Sequence, residues 1–432
     1  MDIMEKQGGS LTDRPRMIAA GEILSGGQAI GFMHAGDRFR RMRRALHSHL
    51  QPKAAEAYQP LQMSHARNTV LDILDDPYNF QNHATTYAAA SIIKKTYGKT
   101  TPTSASDTEV REVHRLFESF RTALRPGAYL VDSIPWLKYL PWYGLDLKRQ
   151  FESTRKLYTN QLNRVKQQLA RIVLPTFRLC LNYSTAEQCG CWSFVCEIYA
   201  RKRAPPSFDE TEMAFLGGAL FGAGSDTTAV AICTVLMAAA CFPEEQAKVQ
   251  AELDMVIGRH RAPTFTDQES LPCLQAFISE ALRWRPLAAN GFAHRTTEDV
   301  IWENYCIPAG TTVSGNHWAI SRDPEVYPDP DMFKPQRWIN DQGRMREDLK
   351  FFVYGFGRRI CPTQHVANRS VFINSLLILW AFQLTLDPTK PFHDLGFMTG
   401  AMPNDRPCAI DFKTRFTEVN LRHMMQNYPV VA

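Results

Sequence analysis

The 432-residue chain has no strong charge of either sign: 49 Lys and Arg against 44 Asp and Glu leave +5 at neutral pH. So mild an excess is no electrostatic footprint for nucleic acid. The opening residues, MDIMEKQGGSLTDRPRM, lack an apolar stretch and read as neither a secretory signal nor a membrane anchor. The ten cysteines lack a regular framework. In a long chain without a signal this points to reduced thiols in a cytosol-facing protein, not to a disulfide scaffold. Cys180, Cys189, Cys191 and Cys196 cluster in the stretch 174–206, but they lack the paired spacing of structural zinc. Internal repeats and low-complexity runs are also missing, which leaves a packed globular fold.

What is present is mostly helical pattern. A hydrophobic content of 44 % is enough for a large core. GDRFRRMRRALHSHLQPK reads as a basic helix stopped by its proline, and helical patterns continue from Ala54 to Tyr97. Ser106 or Asp107 is placed to cap the helix TEVREVHRLFESFRTAL. RPGAYLVDSIPWLKYLPWYG, dense in proline and aromatics, predicts a loop with an exposed apolar surface. A polar helix follows, with an apolar stripe at Phe151, Leu157, Leu162 and Val165. Ser207 to Glu210 predicts a capping box opening the apolar segment Ala214 to Phe242. That segment is long enough to cross a bilayer, yet Asp226 at its middle favours a helix buried in a protein core. Short strand-like runs follow from Asp299, then a buried helix VFINSLLILWAFQLTL, then an alternating strand in CAIDFKTRFTEV.

The densest chemistry lies in YGFGRRICPT. Gly355 and Gly357 permit a tight hairpin just before Cys361, and Pro362 suits the start of a helix. A thiolate near a helix N-terminus gains from the dipole, so Cys361 reads as a nucleophile, a metal ligand or a plain buried cysteine. His365 is a weak base candidate.

This stretch resembles the haem-binding loop of the cytochrome P450 (haem-thiolate) monooxygenases, F-x-x-G-x-R-x-C-x-G, through Tyr354, Gly357, Arg359 and Cys361. Tyr354 stands where the pattern has phenylalanine. Thr363 stands where it has glycine, a β-branched residue expected to strain the loop near the ligand sulfur. Ala223 to Thr228 matches the family's A/G-G-x-D/E-T-T/S, Glu280 and Arg283 its E-x-x-R, and FKPQRW its F-x-P-x-R with Arg337. Phe39 and Arg43 match its W-x-x-x-R helix with phenylalanine for tryptophan, and His294 with Arg295 falls where another propionate contact is usual.

The resemblance implies a mainly α fold with small β-sheets, one haem-thiolate domain over 1–432 into which 174–206 fits poorly. It is closest to fungal microsomal members, and the chain reads as starting after their membrane anchor and part of their first sheet. It implies haem b with Cys361 thiolate as axial ligand, with Arg43, His294, Arg295, Arg359, Tyr354 and Gly357 around the cofactor. Gly224 would clear space for oxygen, and Asp226 and Thr227 would deliver protons. Glu280, Arg283 and Arg337 would form a structural cluster supporting the cysteine loop. Electrons would come from NADPH through a reductase docked on the face bearing Arg40, Arg41 and Arg44, and one atom of O2 would enter a lipophilic small molecule of secondary metabolism. The expected setting is the cytosolic face of the endoplasmic reticulum with peripheral membrane contact, or otherwise the cytoplasm. Alternatives are a haem-thiolate isomerase or dehydratase, disfavoured by Asp226 and Thr227, and an inactive truncated product.

Overall fold

The computed structural model describes residues 2–176, 193–200, 208–396 and 408–429. Cys180, Cys189, Cys191 and Ser207 therefore lie outside the described residues. The chain divides into two compact units, one of residues 1–12, 50–88 and 227–432, the other of 13–49 and 89–226. Three helices, Asp37–Leu50, Phe80–Tyr97 and Glu210–Cys241, contribute residues to both.

The first unit is built on the helix Gln364–Ala381, which packs along Gln59–Asp75. Its run of Val371, Leu376, Leu377, Ile378 and Trp380 is fully buried, as expected of a helix apolar on every face. The helix stops at Ala381, not at Leu386: Phe382–Leu386 is a strand paired antiparallel with Ile410–Thr414. Phe382 and Leu384 point into the core while Thr385 faces out, the two-residue period of a strand. The same buried layer holds Gln246 and Gln250, whose amides bond the carbonyl oxygens of Leu384 and Phe382, both at 2.9 Å. Further strands are short and antiparallel: His294–Arg295 with Thr312–Val313, and Val300–Trp302 with Tyr305–Ile307. The basic helix stops at Leu50, just ahead of its proline, and Pro52 begins the next helix, Pro52–Glu56, where its missing N–H costs nothing.

The second unit centres on the 32-residue helix Leu145–Thr176, which packs on Thr108–Ala123 and on a π-helical turn at Ile18–Leu24. Phe151 stacks on Phe215, with ring centroids 6.0 Å apart. Gly218 is required here, since a Cβ would meet the Tyr158 ring at 2.3 Å. Asp107 stands at the start of Thr108–Ala123, but its side chain makes no cap bond there. Asp209 caps the long apolar helix by accepting from Glu212 N at 2.7 Å. Glu210–Cys241 is long and apolar enough to cross a membrane, yet most of it is buried in the protein. The aromatic loop after Thr108–Ala123 folds into two 3-10 turns that leave Trp136, Tyr139 and Trp142 60–76 % exposed.

Candidate functional site

In the first unit the cysteine loop turns as its glycines suggest. Gly355 and Gly357 adopt φ of +83° and +50°, the left-handed region that only glycine enters without strain. Cys361 N then donates to Tyr354 O at 2.8 Å, closing the hairpin and presenting a free, half-buried thiol. The phenol of Tyr354, which phenylalanine would lack, donates to Asn368 Oδ1 at 2.6 Å and ties the loop to the following helix. Burial, and then the neighbouring Cys361, push that phenol above its ordinary pKa. Thr363 takes φ −94° and ψ 8°, outside the left-handed region that calls for glycine.

The N-terminal segment packs under this loop, a role its sequence did not suggest. Gly357 N donates to Glu5 Oε1 at 3.1 Å, and a Cβ on Gly8 would meet Gly357 Cα at 3.3 Å. Met4, Leu11 and Phe356 form a small buried cluster. Two consecutive carbonyls of this segment hold the two candidate propionate ligands. His294 Nδ1 bonds Leu11 O at 2.7 Å, and Arg359 Nε donates to Thr12 O at 2.6 Å. Both side chains are buried, so two cationic or polarisable groups are gathered where an anion would satisfy them. Arg295, next to His294 on its strand, is half-buried.

Glu280, Arg283 and Arg337 meet in the same unit. Glu280 accepts from Arg283 Nε and Nη2 at 2.8 and 2.7 Å, and from Arg337 Nε at 3.2 Å. Trp338 Nε1 at 2.9 Å and Lys334 N at 2.8 Å complete the set. Glu280 and Arg283 are fully buried, and Arg337 is 7 % exposed at its side chain. Arg283 Nη1 also donates to the carbonyl oxygens of Ser321 and Pro330, using the fork that lysine lacks.

The second unit holds the other candidates. Phe39 is buried on the helix Asp37–Leu50, and Arg43 is half-buried one turn on. Arg14, which the sequence did not single out, is buried beside it; desolvation first, then the charge of Arg43, push its guanidinium down to about 10. Arg41 does not belong to a solvated face, because it donates to both carboxylate oxygens of Glu212 at 2.7 and 2.8 Å. Only Arg40 and Arg44 of that trio stay exposed, and Arg40 pairs with Asp37 at 2.6 Å. At the middle of the long helix, Asp226 Oδ1 lies 3.1 Å from His114 Nδ1, a contact invisible in the sequence because 112 residues separate the two. What lies against Gly224 is Ile92: a Cβ there would meet Ile92 Cγ1 at 2.8 Å, so close helix packing also demands the glycine. Thr227, half-buried, follows Asp226 along the long helix and is counted with the first unit.

These residues fit a haem. A single soft sulfur would suit an iron whose other ligands come from the cofactor itself, and no cluster of protein ligands that could hold a bare metal occurs among the described residues. Within the first unit, buried Arg359 with His294 is chemistry for a carboxylate.

Comparison with known proteins agrees. The cytochrome P450 family profile matches residues 2–405. Cytochrome P450 monooxygenases 64 and 113 of the fungus Postia placenta are 46 % and 47 % identical, over 97 % of this chain and 81 % of each relative. Cytochrome P450 monooxygenase claR of Ampulloclitocybe clavipes is 31 % identical over 98 % of this chain and 78 % of its own. With its helix-dominated fold and small antiparallel sheets, the chain belongs to the cytochrome P450 family of haem-thiolate, oxygen-incorporating oxidoreductases.

Proposed function

We propose that this enzyme places one atom of O2 into a lipophilic small molecule of fungal secondary metabolism, with Cys361 as the thiolate ligand of haem b. The observation behind this reading is the loop itself: two left-handed glycines present the Cys361 thiol, while adjacent carbonyls gather Arg359 and His294. Haem, when bound, supplies the activation of O2 and the transfer of one oxygen atom to substrate. The chain's own residues do the rest. Cys361 donates charge through sulfur. Arg359 and His294, and in the second unit Arg43 with Arg14, bind carboxylates; Gly357 and Tyr354 shape and brace the loop, and Arg295 contributes positive charge beside His294. Asp226 relays protons with Thr227, and His114, 3.1 Å from Asp226 and 42 % exposed, links that carboxylate to solvent.

Electrons come from NADPH through a separate reductase, for which the exposed Arg40 and Arg44 offer positive charge. The exposed aromatic loop around Trp136, Tyr139 and Trp142 suits peripheral contact with a membrane interface, consistent with an endoplasmic-reticulum setting. The fungal relatives are monooxygenases by name, and the apolar and aromatic residues of the chain support a lipophilic substrate. Turnover under oxygen-18 with NADPH and a purified cytochrome reductase tests the reaction class. One labelled atom in the product, with NADPH consumed, is the expected result; product formed without NADPH or label would instead mean isomerisation or dehydration.

A further inference from the structure

Thr363 departs from the family's glycine, and its hydroxyl has an unusual position. It is the N-cap residue of Gln364–Ala381, and Ala367 N donates to its carbonyl oxygen at 2.9 Å. A threonine there ordinarily turns its side-chain oxygen onto the amides of the first helical turn. This one makes no cap bond; its Oγ1 lies 3.2 Å from Cys361 Sγ. A thiol and a hydroxyl can each donate to the other, but a thiolate can only accept. Once sulfur is the iron ligand, the hydroxyl must be the donor, and the bond is charge-assisted.

We infer that Thr363 is a positioning residue that tunes the axial ligand, donating a hydrogen bond from its hydroxyl to the Cys361 thiolate and thereby raising the reduction potential of the iron. The inference rests on Cys361 being the ligand. The bond draws negative charge from sulfur, so it favours the oxidation state in which sulfur carries more charge, the ferrous one. Hydrogen bonding to the ligand sulfur is among the levers by which a protein sets such a potential. Glycine at this position offers only its backbone amide, so the side-chain donor comes with the departure from the family pattern. The accompanying effect is a weaker electron push from sulfur toward iron.

The test compares the intact holoprotein with Thr363→Val, which keeps the shape and removes the donor, and with Thr363→Ser, which keeps it. The readouts are the ferric/ferrous midpoint potential, the Soret band of the reduced carbon-monoxide complex and the iron–sulfur stretching frequency. Valine is expected to lower the one-electron equilibrium constant about tenfold, a fall of ~59 mV, and to raise the stretching frequency. Serine is expected to match the native protein on every readout. Should valine exclude haem, Thr363→Gly against Thr363→Ser makes the same comparison. Equal potentials in the valine (or glycine), serine and native proteins, all with a thiolate-type Soret band, would overturn the hydrogen bond and leave the ligand standing. A native Soret band of the histidine type would instead remove the ligand assignment, and this inference with it.

Discussion

Glu280→Gln is the most informative perturbation of the fold around the cysteine loop. The substitution keeps the volume and removes one charge. In the native protein that carboxylate accepts five hydrogen bonds, two of them from Arg283 and one each from Arg337, Trp338 and Lys334 N. Glutamine offers one acceptor oxygen. Its amide nitrogen must turn toward either Arg283 Nε and the Trp338 indole, or Arg283 Nη2, Arg337 Nε and Lys334 N, setting donor against donor. Two guanidiniums, 0 % and 7 % exposed at their side chains, are left without a counter-charge. Breaking a buried pair in this way costs about 3–5 kcal/mol. Marginal stability makes that a large share of the total. At a slope of about 2 kcal/mol per molar urea, the unfolding midpoint falls by about 2 M, read by circular dichroism. A fall under about 0.5 M, equivalent to ~1 kcal/mol, would mean that the guanidiniums are satisfied without Glu280 and that the cluster reasoning is wrong.

Three more outcomes are expected. His317, 3 % exposed against Phe351 and Phe356, has its pKa pushed from 6.5 to about 4 by burial, with the backbone of Ala288 opposing slightly. Below pH 6.5 the unfolded chain takes up a proton that the folded one refuses, so stability falls between pH 6.5 and 4 by roughly 3 kcal/mol and then levels. His317→Phe should flatten that window in pH-dependent unfolding, and an unchanged acid slope would contradict the assignment. Asp226→Asn should slow product formation by ~10²-fold or more while leaving the Soret band intact, and His114→Ala should do so less steeply. Full activity in the asparagine variant would remove Asp226 from proton delivery. Charges in the aromatic loop, as in Trp136→Glu with Trp142→Glu, should abolish sedimentation with phospholipid vesicles without altering the circular dichroism. Undiminished binding would place the membrane contact elsewhere.

The cysteine loop, the long apolar helix and the Glu–Arg–Arg triad were legible because each is a short pattern of residue types with few other uses. Their partners were not. His114 and Arg14 look like ordinary surface residues until the fold sets them beside Asp226 and Arg43. Arg41 read as one of a basic row, yet Glu212, 171 residues away, pairs with it and leaves it half-buried. The end of the last core helix was misplaced because FQLTL is apolar enough for either structure, and the strand Ile410–Thr414 decides in favour of pairing. Thr363 read as a steric fault because only its side-chain bulk was visible. Its φ of −94° and its contact with sulfur are tertiary facts.

The central claim is that Cys361 ligates haem iron through its thiolate. The reduced, carbon-monoxide difference spectrum of the native chain tests it most directly, beside that of Cys361→Ala. A red-shifted thiolate-type Soret band that disappears in the alanine variant is the predicted result. The same band retained by Cys361→Ala, or a histidine-type band in the native protein, would contradict it.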